Sequence, residues 1–101
     1  MNLFDRVAVP AHVMARKVGP ETVILDLAGG TYFGLDPVGA RIWQLMGEGL
    51  TLADVCTAML EAYDVTREVI EKDVLALATL LEGKQLVSVA SAAEPTESIP
   101  R

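Results

Sequence analysis

The run Thr22-Val23-Ile24-Leu25-Asp26-Leu27-Ala28-Gly29-Gly30-Thr31-Tyr32-Phe33-Gly34-Leu35 reads as two strands joined by a glycine turn. Its first half is rich in β-branched and aliphatic residues, and alternation sets Val23, Leu25 and Leu27 on one face. Gly29 and Gly30 stand where a two-residue hairpin turn needs positive φ at both central positions. Thr31 to Leu35 should therefore fold back antiparallel, with Phe33 and Leu35 on one face and Tyr32 and Gly34 on the other.

Upstream, residues Val7 to Val18 mix β-branched and polar types around Pro10, which suggests an irregular start and then one edge strand over His12 to Val18. Gly19-Pro20-Glu21 separates it from the hairpin. Downstream, Asp36-Pro37 has the form of an N-cap followed by proline at the first helical position. Val38, Ile42, Leu45 and Met46 recur at helical spacing, predicting a helix from Pro37 to Met46 that Gly47 and Gly49 stop. Thr51-Leu52-Ala53-Asp54 resembles a capping box for a second helix, with Leu52, Val55, Met59 and Leu60 turned inward. Thr66 caps a third helix, favoured by Glu68 and Glu71 near its positive end and running through Val69, Ile70, Val74, Leu77, Leu80 and Leu81 to Gly83. A short strand over Gln85 to Val89 can follow. The order predicts an α+β fold of winged helix-turn-helix type, a three-stranded antiparallel sheet followed by three helices. Residues 1–89 form one domain on this reading, and the Ser-, Ala-, Glu- and Pro-containing tail from Ala90 to Arg101 is expected to be disordered.

A chain of 101 residues, 51% apolar and 22% charged, has the composition of one folded domain. Eight Lys and Arg against 14 Asp and Glu leave a net charge of −6. The cations are scattered, which argues against nucleic acid as a partner. Neither a signal-type start nor an apolar run long enough for a bilayer is present, so a cytoplasmic location without membrane association is expected. The single Cys56 rules out an intramolecular disulfide and opposes a cysteine-built metal site. It lies between Val55 and Thr57 on the second helix, as a buried small hydrophobe would. His12, the only histidine, has no nucleophile motif beside it, and Ala28-Gly29-Gly30-Thr31 lacks the lysine and following helix of a phosphate loop. No catalytic residue, cofactor or metal is assigned. Trp43 is expected to anchor the core.

Taken together, Val23-Ile24-Leu25-Asp26-Leu27, the glycine turn, Thr31-Tyr32-Phe33-Gly34-Leu35-Asp36 and Val38-Gly39-Ala40-Arg41-Ile42-Trp43-Gln44-Leu45 resemble the PqqD family. The likeness continues through Thr51 to Val55, Tyr63-Asp64-Val65, Val69 to Val74 and Leu80-Leu81, covering about residues 10 to 89. Asp36 stands where many relatives carry Asn, and both residues cap helices. Members are leader-peptide recognition elements (RiPP recognition elements), and the short form and the Tyr32-to-Trp43 run look most like the leader-binding subunit of lasso peptide biosynthesis. The resemblance implies a non-catalytic peptide chaperone. It would bind the leader segment of a precursor peptide and work beside a separate cysteine protease and an ATP-dependent cyclase.

It also implies that the leader adds a strand to the edge of the third strand, in the cleft between it and the third helix. Carried over, Thr31, Tyr32, Phe33, Gly34 and Leu35 supply the pairing strand, and Val69, Lys72, Asp73, Ala76 and Leu80 are candidates for the helix wall. Ile70, Val74, Leu77 and Leu81 are then left for the core, and a rotation of one residue would reassign both sets. Pyrroloquinoline quinone assembly and other modified-peptide pathways use similar modules. A winged-helix regulator, an enzyme and a dimerisation domain are competing readings, opposed respectively by the charge, by the lack of convergent titratable groups, and, for the last, by nothing short of a solution measurement.

Overall fold

The computed structural model describes residues 1–90. In chain order its elements are β1 (Arg6–Ala8), β2 (Val13–Val18), β3 (Glu21–Asp26), β4 (Thr31–Leu35), α1 (Pro37–Gly47), α2 (Leu52–Ala62), α3 (Arg67–Gly83) and β5 (Ser88–Ala90). Strands β2, β3 and β4 form an antiparallel sheet in that order, and β1 pairs with β5 in a second, two-stranded one. The expected α+β arrangement of a three-stranded sheet with three helices is present.

The hairpin is built differently from the two-residue turn that its glycines suggest. Asp26 pairs with Thr31, so the loop is the four residues 27–30. Asp26 shapes it: Oδ1 accepts from the backbone N–H groups of Ala28 and Gly29, both at 3.0 Å, and its carbonyl accepts from Gly30 at 2.8 Å. Only Gly30 of the pair has a positive φ, 76°. Gly29 is needed for space instead, since a Cβ there would lie 2.8 Å from Asp26 Oδ2. An aspartate side chain that satisfies two loop amides thus shapes the turn together with the two glycines.

This register decides the sheet's faces. Ile24 lies opposite Phe33 and Ala15, and the helices cover that side, leaving Ile24 fully buried. The alternating set Val23, Leu25 and Leu27 belongs to the outer side, where Leu27 is 62% exposed.

All three helices start on the expected caps. Asp36 Oδ1 accepts from Gly39 N at 2.7 Å, Thr51 Oγ1 from Asp54 N at 3.1 Å and Thr66 Oγ1 from Val69 N at 3.3 Å. Helix α1 ends at Gly47 with Gly49 at φ 85°. The core gathers Ile24, Ile42, Met46, Leu52, Val55, Met59, Val74 and Leu81 with Trp43 at its margin. Val38 and Leu60 depart from the expected inward sets: Val38 is exposed and Leu60 is only partly buried.

Both ends of the described chain differ from expectation. Arg6 to Ala8, of which Val7 and Ala8 fall in the stretch read as an irregular start, form a strand against Ser88 to Ala90, so Ala90 belongs to the fold. The rest of the expected tail, 91–101, lies outside the described residues. The final strand begins at Ser88 instead of Gln85 because α3 ends in a six-residue closure: Leu86 N donates to the Leu81 carbonyl and Gln85 N to that of Glu82, both at 2.9 Å. Gln85 takes φ 62°, the left-handed position usually given to glycine, and Leu86 is turned back into the core. No helix among the described residues is long and apolar enough to cross a membrane.

Candidate leader-binding cleft

Among the described residues, strand β4 pairs on one side only. Which backbone groups it leaves free follows from the neighbouring ladder. Leu27 N donates to the His12 carbonyl at 2.7 Å, one step beyond the Val13–Asp26 pair. Odd-numbered residues of β3 therefore turn their hydrogen-bonding groups to β2, and Ile24 and Asp26 turn theirs to β4. Their partners Phe33 and Thr31 face back toward β3. Tyr32 and Gly34 are left with N–H and C=O directed at the open edge, among the described residues.

The side chains divide the other way. Tyr32, 76% exposed, stands on the outer face, and Gly34 leaves that face bare, with nothing within 4 Å of where a Cβ would stand. Phe33 is half-buried on the inner face against the core, and Leu35 is buried within it. Leu35 thus serves the scaffold, while Tyr32 and Gly34 carry the pairing groups and Thr31 is exposed at the loop end.

Helix α3 buries Ile70, Val74, Ala78 and Leu81 in the shared core, with α2 as its main neighbour and Leu77 partly covered. Val69, Asp73, Ala76 and Leu80 remain exposed along one stripe. The position of that stripe is marked by Lys84, whose Nζ lies 5.5 Å from the centre of the Phe33 ring. Lys84 follows Leu80 by one turn, so the stripe ends over β4. Lys72 is also exposed and, three residues after Val69 and four before Ala76, borders the stripe on the side farther from Lys84. Sequence reasoning misses Lys84 because Gly83 marks the helix end; continuing the i, i+4 spacing from Leu80 is the signal that finds it.

The remaining reactive groups lie elsewhere. Cys56 is fully buried on α2, and burial raises its thiol pKa above the ordinary 9.0, with Arg67 lowering it and Glu71 raising it by smaller amounts. Such a thiol is a poor nucleophile. His12 Nε2 sits 3.9 Å from Asp26 Oδ1 beside the hairpin loop. An unpaired strand edge beside a partly apolar helix stripe can bind an extended peptide through backbone bonds, with side chains reading alternate residues.

Comparison with known proteins places the chain among PqqD-like structures. The family profile described as coenzyme PQQ synthesis protein D (PqqD) matches residues 21–87, which span β3 through α3 to the closure after it. A solved structure of TbiB1 in complex with the TbiA(beta) leader peptide is 36% identical, with a TM-score of 0.74 over 79% of this chain and 93% of that one. A lasso peptide synthetase B1 complexed with the leader peptide is 27% identical, with a TM-score of 0.73 over 83% of this chain and 96% of that one. No curated protein sequence matches the chain.

Proposed function

The chain belongs to the PqqD family, and from that premise we infer that it is a recognition module for the leader segment of a lasso peptide precursor. The observation that carries this reading is its likeness, over more than nine-tenths of their lengths, to two B1 proteins solved with leader peptides bound. The leader adds a strand at the β4 edge, bonding the N–H and C=O of Tyr32 and Gly34, and lies against Val69, Asp73, Ala76, Leu80 and Lys84 of the helix side. Backbone bonds give affinity of low sequence dependence, and the helix stripe and the Phe33 ring supply selectivity. The module is non-catalytic and delivers its peptide to a separate cysteine protease and an ATP-dependent cyclase in the cytoplasm. The family's own description favours one second reading, a peptide chaperone in pyrroloquinoline quinone assembly.

Fluorescence polarisation with labelled leader peptides from both pathway types tests these readings. Saturable binding of a lasso leader, and of neither its core peptide nor a scrambled copy, is the expected result; binding of a quinone-precursor peptide alone would replace it with the second reading. Gly34→Pro removes a donor that faces the open edge and not β3, so the variant should fold and lose leader binding at least about tenfold. A folded variant with unchanged affinity would overturn strand addition at β4.

A further inference from the structure

A cavity of about 350 Å³ opens between the β2–β3 turn and α1, its wall including Lys17, Thr22, Arg41, Trp43, Gln44 and Tyr63. No residue of β4 or α3 lines it. Lys17 and Thr22 are cross-strand partners on the sheet's inner face, at the end away from the hairpin loop. On the helix side, Pro37, Ala40, Arg41 and Gln44 follow i, i+3, i+4, i+7 spacing and form a stripe distinct from the buried Ile42, Leu45 and Met46. Helix α1 therefore presents one face to the core and a second to this cavity.

The charge of the wall is opposite to that of the molecule. Lys17 and Arg41 are the only side chains in it that are charged at neutral pH, in a chain of net charge −6. Among the described residues neither cation has a carboxylate at ion-pair distance; the ion pairs formed are His12–Asp26 and Arg67–Glu71. Glu21, beside Thr22, points to the opposite face of the sheet. The first turn of α1 carries no acidic residue, and the Asp36 carboxylate is engaged by Gly39 N. Two unpaired cations beside an indole and a phenol make a local attractor for carboxylates on a surface that otherwise repels them. The volume is that of a small ligand pocket, enough for a few side chains.

We propose that this cavity docks an acidic segment of a partner protein, with neighbouring carboxylates meeting Lys17 and Arg41 and an apolar side chain lying against Trp43 and Tyr63. Because the β4 edge takes no part in it, partner and peptide can be held at once.

Trp43 is the only tryptophan, so its emission and indole N–H resonance report on the cavity directly. The probe is acetyl-Glu-Glu-Phe-Glu-Glu-amide, with the all-Gln counterpart and inorganic phosphate as controls. Saturable shifts at Trp43, Lys17 and Arg41 with the Glu peptide alone are expected, weakened about tenfold or more in K17E/R41E and less in K17Q/R41Q. Circular dichroism confirms folding of both variants, and leader affinity at β4 should be unchanged in them. Equal response to the Gln peptide, an equal response to phosphate, retention of binding in K17E/R41E, or shifts confined to β4 and α3 would each overturn the assignment. The readout does not use a leader peptide, so its failure is separate from failure of the leader-binding reading.

Discussion

Gln85 occupies a left-handed position that costs a side chain about 1 kcal/mol relative to glycine, yet it sits where α3 must turn to return Leu86 to the core. Gln85→Gly should therefore raise stability by about 1 kcal/mol in urea denaturation, with the leader affinity unaltered. Cys56 gives a second expectation at this scale. Its folded pKa is raised above 9.0, so its contribution is fully present below pH 9.0 and is lost as pH rises from there toward the folded value, because the unfolded chain releases its thiol proton first. The stability of the wild-type protein should fall through that window relative to Cys56→Ala, and a thiol reagent at pH 8 should label the protein only as fast as it opens. The burial of Cys56 is legible from its apolar neighbours on α2. The left-handed Gln85 is not, since nothing in its side chain announces that conformation.

Helix α3 carries both the core and the candidate peptide wall, and its phase separates the two. Ile70, Val74 and Leu81 are buried as their spacing implies, and the complementary stripe through Val69, Asp73, Ala76 and Leu80 is exposed. If that stripe lines the peptide, Leu80→Ala should weaken leader binding about tenfold, while Lys72→Ala should change it by no more than about 0.5 kcal/mol. Both side chains are exposed, so neither change should disturb folding. Calorimetric titration of the two variants with one leader peptide checks the difference, and equal losses would mean that the helix presents another face. The caps on α1, α2 and α3 are readable because each depends on one side chain and an amide three residues on. The hairpin is readable only in part: its two strands and their pairing are local, but loop length turns on an Asp26 side chain that competes with the glycine pattern.

Across the whole chain, β1 and β5 join the two ends of the described residues. Arg6 pairs with Ala90 and Val7 with Val89, and the segment before β1 also meets α2, where Ala53 N donates to the Leu3 carbonyl at 2.8 Å and Leu52 N to that of Asp5 at 3.0 Å. Val7 is buried beneath this junction. Val7→Ala should lower stability by about 2 kcal/mol and raise amide exchange at Val89 along with it; unaltered exchange at Val89 would show that the two strands are not one unit. The types of the three helices and of β2, β3 and β4, the three helix caps and, through resemblance, the family can all be read from the order of residues, whereas the phase of α3 stays open to a rotation of one residue until its packing is known. The readable properties are set by neighbours within about one helical turn or one hairpin. Long-range packing was needed to establish which face of β3 is inside, that residues 6–8 form a strand, that Lys84 reaches Phe33, and that Lys17 and Arg41 share a cavity. Each of these joins segments remote along the chain, and Ile24 is favoured over Val23 and Leu25 because the helices cover its face, which no local alternation can specify.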